Sequence, residues 1–529
     1  MAVSVGINSM LCLAAWAQAP GERIGTGSIE GRVLLSSGQP GAGMEIHVYS
    51  EAPVPPVKTG SGGTFRFDRL PAGRYGLTLH PMSGYRSRDA GIVLRDGEKV
   101  SGIELRALEA ASVSGHVRDA KGRPAAGLLV SAIRLHGGGS RHPPDRGMAG
   151  PTNDLGEFNL TGLNPGLYTL LVETRRLAVK PRQGDEERQS ELPGPVQAET
   201  PTYYPNAASL ELAAPFALEF GQKLEGLDIT LSRQATLCVR SRNAVATQVR
   251  VEVAAGYYLG ATRVAEGTVG AGASFELCGL APGAYTLLAS PLDEQDPRYA
   301  SERFTLTKTS VRLGDVTLQP LVPLAGRVAL DPATETRTLP ASLSISLMEI
   351  GRPYLPNERR TARVTETGPF VFPALLADEY WLTVRPPAGY YVKSATAGAK
   401  DAMHEPIHSA SGELLVVLGG DGAKLSVTGT DKASNPVPFC NAIVARDPLP
   451  ANPSRQDLAG VACDQNGVAT ITALPPGRYK VLVVADAFLD PANTAALFQA
   501  HQAKAEALQL DARESRTLSL RAADRVAKD

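Results

Sequence analysis

The chain has 529 residues and a formal net charge of −1, so no global field draws it to nucleic acid or to an acidic membrane surface. Glycine (53) and proline (40) are frequent, aromatics make up only 5% and hydrophobic residues 43%, which excludes a disordered chain and fits short strands joined by tight turns. At roughly 100–200 residues per domain the length implies several domains, and no apolar stretch of about 18 residues follows the N-terminus to suggest a membrane-spanning helix.

Residues 1–19 read "MAVSVGINSMLCLAAWAQA", an apolar run ending in Ala17-Gln18-Ala19. That is the pattern of a secretory signal peptide with a small-residue cleavage site, although a basic leading segment is missing. Export to the periplasm, the cell surface or the medium is therefore expected. Leu11 before Cys12 argues against a lipid anchor.

From residue 27 onward one unit recurs. Its centre reads "FRFDRLPAGRYGLTL" (65–79), "FNLTGLNPGLYTLLV" (158–172), "FELCGLAPGAYTLLA" (275–289), "FVFPALLADEYWLTV" (370–384) and "ATITALPPGRYKVLV" (469–483). The anchoring tyrosines Tyr75, Tyr168, Tyr285, Tyr380 and Tyr479 stand 93, 117, 95 and 99 residues apart, the size of a small β-sandwich. Phe65 and Phe67, then Tyr75, Leu77 and Leu79, alternate with polar or small residues, which marks strands with one buried face. Pro71-Ala72-Gly73 between them fixes one φ and frees another, so the chain turns back tightly. In the fourth repeat Pro-x-Gly is replaced by Ala377-Asp378-Glu379, and that turn must differ.

The expected fold class is all-β: a tandem array of five Ig-like or transthyretin-like β-sandwich domains. They are placed at 27–109, 110–233, 234–320, 321–421 and 422–524. The second carries a charged, Pro-rich stretch at 180–206, read as a solvent-facing loop. The openings, such as "GSIEGRVLLSSGQPGAGMEI" and "ASVSGHVRDAKGRPAAGLLV", together with the centres quoted above, resemble the carboxypeptidase regulatory-like family. The third repeat departs most, since "ATLCVRSRNAVATQVRVEVAA" lacks the opening glycine and proline. The resemblance implies a transthyretin-like sandwich and an exported setting. It implies no peptidase activity, because in that family the sandwich accompanies catalytic domains without performing catalysis.

Cys238 and Cys278 fall inside the third repeat, and Cys440 and Cys463 inside the fifth. In an exported protein this is the pattern of two local disulfides, with four unconnected cysteines as the alternative. His404-Glu405-Pro406-Ile407-His408 spells H-E-x-x-H, the zinc-peptidase motif. That chemistry needs both imidazoles one turn apart on a helix, and Pro406 between them removes a backbone donor at a cost of about 3 kcal/mol. A surface loop is expected there, and a zinc metallopeptidase is the third and least favoured reading. No nucleophile elbow, phosphate loop or cofactor motif occurs. His136 and His142 share a Gly-rich loop and are read as solvated.

Trp381 alternates out of register with Tyr380, Leu382 and Val384, so it should point away from the core. An outward tryptophan can stack on a sugar ring or pack on a neighbouring domain. Tyr203, Tyr204, Tyr390 and Tyr391 are further candidates for carbohydrate contact, as are Tyr257 and Tyr258. The first reading is a non-catalytic exported scaffold or interaction protein, whose partner is an unknown protein or polysaccharide of the cell envelope. A carbohydrate-binding surface protein is the alternative.

Overall fold

The computed structural model describes residues 25–50, 53–80, 84–87, 90–135, 145–174, 177–182, 191–255, 262–293, 296–334, 339, 343–350, 360–485 and 491–523. The 1–19 segment, His136, His142, Tyr257 and Tyr258 lie outside them. Among the described residues strands dominate, arranged in ten sheets that face each other in pairs. Five clusters of buried apolar side chains fill the space between the paired sheets.

The first pair shows the plan. The opening strand Gly27–Leu35 lies between Thr64–Leu70, antiparallel to it, and Lys99–Glu109, parallel to it. The facing sheet runs Val57–Lys58, Glu45–Tyr49, Gly73–Leu79, Ala90–Leu94. Alternation along each strand sends Ile29, Val33, Phe65, Phe67, Leu77 and Leu79 into one shared interior. The same parallel pairing of opening and closing strands recurs in the other four units. It accounts for the glycine of the "G-x-V" opening in the first two units, whereas in the fourth a Cβ on Gly326 would meet the Phe370 ring, at 2.2 Å. A Cβ on Gly31 would lie 2.1 Å from the carbonyl oxygen of Ile103 on the closing strand. A Cβ on Gly115 would lie 2.5 Å from that of Leu227.

The Pro-x-Gly turn is a corner, not a hairpin. Thr64–Leu70 and Gly73–Leu79 are adjacent in sequence but belong to different sheets, so the chain crosses the core where a tight reversal is expected. A tyrosine closes every corner by donating its hydroxyl to the carbonyl four residues upstream. Tyr75 bonds Pro71 O at 2.6 Å, Tyr168 bonds Asn164 O at 3.0 Å and Tyr285 bonds Ala281 O at 2.8 Å. Tyr380 bonds Leu376 O at 3.1 Å and Tyr479 bonds Pro475 O at 2.6 Å. Each ring is buried and each phenol is satisfied inside the fold. Burial pushes the Tyr479 hydroxyl up to about 12. The fourth corner keeps this bond without its Pro-x-Gly.

Two features depart from the sequence expectation. The charged stretch inside the second unit is no free loop. Leu177–Ala178 pairs with Thr262–Val269, Lys180–Arg182 with Ser274–Leu280, and Val196–Glu199 with Arg233–Arg242, so the segment adds an edge to both sheets of the third unit. Val179 enters the third core, 6% exposed, and a Cβ on Gly267 would lie 2.7 Å from its own Cβ. The apolar Leu177 and Val179 at the head of a charged run are the physical reason. The second departure is an α-helix, Pro491–His501, in the fifth unit. Ile443, Ala445, Leu482 and Val484 point out of that sheet on the side away from the main core, and Phe498 of the helix seals them. Its proline at the first helical position and its Ala/Leu/Gln content suit that role.

Candidate functional site

The His404-Glu405-Pro406-Ile407-His408 segment is a turn running into a two-residue strand. The amides of His404 and Glu405 donate to Asp401 O at 3.1 and 2.8 Å, which closes a single turn. Ile407 and His408 then pair with Tyr380 and Glu379, and Ile407 is fully buried. The two imidazoles diverge. His404 Nδ1 lies 2.7 Å from Asp401 Oδ2 and its Nε2 lies 3.0 Å from Asp457 Oδ2, in the fifth unit. His408 Nδ1 accepts the amide of Ala410 at 3.1 Å. His404 is thus held by a carboxylate on each ring nitrogen and bridges two units.

That bridge is part of a wider pattern of joints. Gln456 of the fifth unit meets the backbone of Val392 as a strand would. Its Oε1 accepts from Val392 N at 2.8 Å, and its Nε2 donates to Val392 O at 2.8 Å. Between the third and fourth units Arg303 Nη2 reaches both oxygens of Asp378 at 3.0 Å and Ile350 O at 3.1 Å. Beside it the amide of Ala377 donates to the Tyr299 hydroxyl at 2.7 Å. Ala377 and Asp378 are among the residues that replace Pro-x-Gly, so the exceptional corner docks a neighbour. The second corner does so too. Arg86 of the first unit donates to Asn164 Oδ1 at 3.0 Å and to Gly162 O at 2.6 Å, and burial lowers its pKa.

The second and third units are joined by the inserted strap, which adds an ionic lock. Arg182 Nη2 lies 2.7 Å from Glu276 Oε1, and Arg240 Nη2 lies 2.5 Å from Glu276 Oε2. Arg240 and Glu276 are buried, so each charge is compensated where water is scarce. The fifth unit also touches the first. Phe439, at φ 56°, packs against the first core, and Gln465 Nε2 donates to Val93 O at 3.5 Å. Phe439 takes the place in its turn that Gly43 and Gly127 hold in the first two repeats, where φ is 71°. A bulky residue rarely adopts that conformation.

The aromatic candidates separate. Trp381 lies on the outward side of Glu379–Arg385, half-buried, beside Met348 of the neighbouring strand. Tyr390 and Tyr391 do not serve as open platforms, because they are 9% and 4% exposed. Tyr390 belongs to the fourth core, and the Tyr391 hydroxyl donates to Asp421 at 2.8 Å. Adjacency alone did not reveal that one ring is buried in the core and the other beside Asp421. Tyr204 packs on the second core with its ring edge-on to Phe216, centroids 6.1 Å apart, and Tyr203 is half-buried in a short strand. The cysteines pair as expected, Cys238 with Cys278 and Cys440 with Cys463.

A groove of about 750 Å³ crosses the first unit, and its charged side chains pair with one another, Arg66 with Glu30 and Arg32 with Glu104. They do not converge on a point where a substrate atom would react. Among the described residues, Glu45, His47 and His80 form a set of side chains spaced to share a metal ion. Also among the described residues, no helix is long and apolar enough to cross a membrane. The joint residues Arg86, Arg303, Asp378 and Asp457 were not legible as such, since each meets a partner from another unit.

Residues 28–106, within the first unit, match the carboxypeptidase regulatory-like domain. No curated protein matches the chain. Among solved structures, the Bacillus anthracis TIE protein is similar at 15% identity, covering 56% of this chain and 51% of its own, with a TM-score of 0.16. This chain therefore spans about half the length of that protein. The minor pilin GBS52 of Streptococcus agalactiae aligns at 12% identity over 39% of this chain and 96% of its own, with a TM-score of 0.22. The major pilin subunit BcpA of Bacillus cereus aligns at 9% identity over 78% of this chain and 99% of its own, with a TM-score of 0.15.

Proposed function

We propose that the chain is an exported, non-catalytic scaffold of five sandwich units, 27–109, 110–233, 234–320, 321–421 and 422–524, that presents sheet faces to a protein or polysaccharide of the cell envelope. The observation that carries this reading is the use made of polar side chains. Arg86, Arg303, Asp378, His404 and Gln456, which a catalytic reading would recruit, are spent on fixing one unit against another. Fixed joints hold binding surfaces at set distances, which is what a scaffold requires. The two disulfides support an oxidising destination and hence export through the 1–19 segment.

The test is to express the full chain with its own leader, sequence the N-terminus of the exported form, and crosslink it in the intact envelope. A mature chain starting near residue 20 with a stoichiometric envelope partner is expected. Retention of the leader in the cytoplasm, or turnover of a peptide library by the purified chain, would overturn the reading. A second reading, carbohydrate binding, is supported by the outward side of Trp381. Retention on envelope polysaccharide that Trp381→Ala abolishes would favour it, and equal retention of both proteins would remove it.

A further inference from the structure

On the solvent face of the first unit, Glu45 and His47 project from the same side of one strand, two residues apart. The neighbouring strand Gly73–Leu79 runs antiparallel with Ile46 opposite Leu79, and the amide of His80 donates to Glu45 O at 2.9 Å. This register sets His80 directly across from Glu45 and diagonal to His47. The rings of His47 and His80 face each other with centroids 4.7 Å apart. One ligand atom from each of the three residues lies within 4.8 Å of the other two. All three are half-buried, open enough for an ion to enter and packed enough to hold a geometry.

We propose that Glu45, His47 and His80 form a binding site for a borderline divalent transition ion of the zinc(II) class. Two imidazoles and one carboxylate are the donor set such ions prefer over calcium or magnesium. Ligand bonds of about 2.0–2.2 Å require donor atoms roughly 3.3 Å apart, which rotation of surface side chains reaches from the present spacing. His47 Nε2 and Glu45 Oε1 are 2.8 Å apart, so the carboxylate already aims at the nitrogen that would bind. The exposed Lys58, opposite Glu45 on the other side, is the competing cation. Three protein donors leave a fourth position to water, and the site faces solvent where that water can exchange.

The experiment is a titration of the purified full chain with zinc chloride against a chromophoric chelator at neutral pH, together with His47→Ala, His80→Ala and Glu45→Gln. One equivalent bound by the parent chain, and affinity lowered about tenfold or more in each variant, is expected. His116→Asn is the control, since Asp228 and Glu157 flank the His116 ring. It should leave affinity unchanged. These side chains face outward, and a matching thermal melt shows that each variant is folded. If a variant does not fold, His80→Asn takes its place. No bound equivalent, or an affinity that the His47 and His80 variants do not alter, would overturn the proposal.

Discussion

Replacing each corner tyrosine by phenylalanine removes one hydroxyl and leaves the ring in the core, so the five repeats offer five versions of one experiment. A net hydrogen bond contributes about 1 kcal/mol, and an unpaired buried acceptor costs a further 1–3 kcal/mol unless water reaches it. The five bonds differ in that respect. Those of Tyr380 and Tyr479 lie in the interior, while those of Tyr75, Tyr168 and Tyr285 are only partly shielded. Tyr380→Phe and Tyr479→Phe should therefore cost about 2 kcal/mol, and the other three about 1 kcal/mol. Native-state hydrogen exchange read by mass spectrometry assigns the loss to a unit, because peptides from each core report separately. Protection should fall in the unit that carries the substitution and hold in units that do not touch it. Equal loss in all five units, or no loss for Tyr479→Phe, would refute the assignment of separate cores closed by tyrosine corners.

Further outcomes follow from the joints and turns. Arg303→Ala leaves the Asp378 carboxylate, 8% exposed, without its cation, and should destabilise the fourth unit by about 1–2 kcal/mol, measured by urea unfolding. Mild reductant should open Cys238–Cys278 before Cys440–Cys463, since Cys278 is exposed and both cysteines of the second pair are fully buried. Alkylation and mass spectrometry give the order, and loss of the buried pair should cost the fifth unit about 3 kcal/mol on loop-entropy grounds. Asp119 and Asp431 titrate below the ordinary carboxylate range, chiefly because the amides of Arg123 and Asn435 donate to them. A depressed folded pKa contributes stability that is complete above the unfolded value of about 3.9 and lost as pH falls through the folded value. The melting temperature should hold from pH 7 to about pH 5 and decline below pH 4, with Asp119→Asn flattening the decline in the second unit.

Much of the architecture was legible because period-two alternation and turn chemistry are local. Phe65, Phe67 and Tyr75 marked the centre of a unit, and Cys238 and Cys278 announced their pairing by falling within one repeat. What resisted reading depends on partners far along the chain. The parallel closing strand explains Gly31 only once Ile103 is seen against it. The stretch at 180–206 looked like a loop because charges and prolines dominate it, while the apolar Leu177 and Val179 that dock on the third unit stand just before it. The helix at Pro491–His501 carried a proline start and alanines, a signal outweighed by the strands on either side. The letters of H-E-x-x-H pointed to chemistry, and Pro406 pointed to a turn. The turn is what the fold contains. His47 and His80 drew no attention because 33 residues separate them, and only the strand register brings them together.

The sandwich units keep their own cores and are locked together by specific contacts, the strap among them. Comparing fragment 177–320 with fragment 234–320 by thermal unfolding and amide dispersion in NMR tests this directly. The longer fragment should fold cooperatively, while the shorter, lacking Val179 and Arg182, should melt well below it or give collapsed, poorly dispersed spectra. Equal stability of the two fragments would show that the strap is a passive linker and would contradict the account.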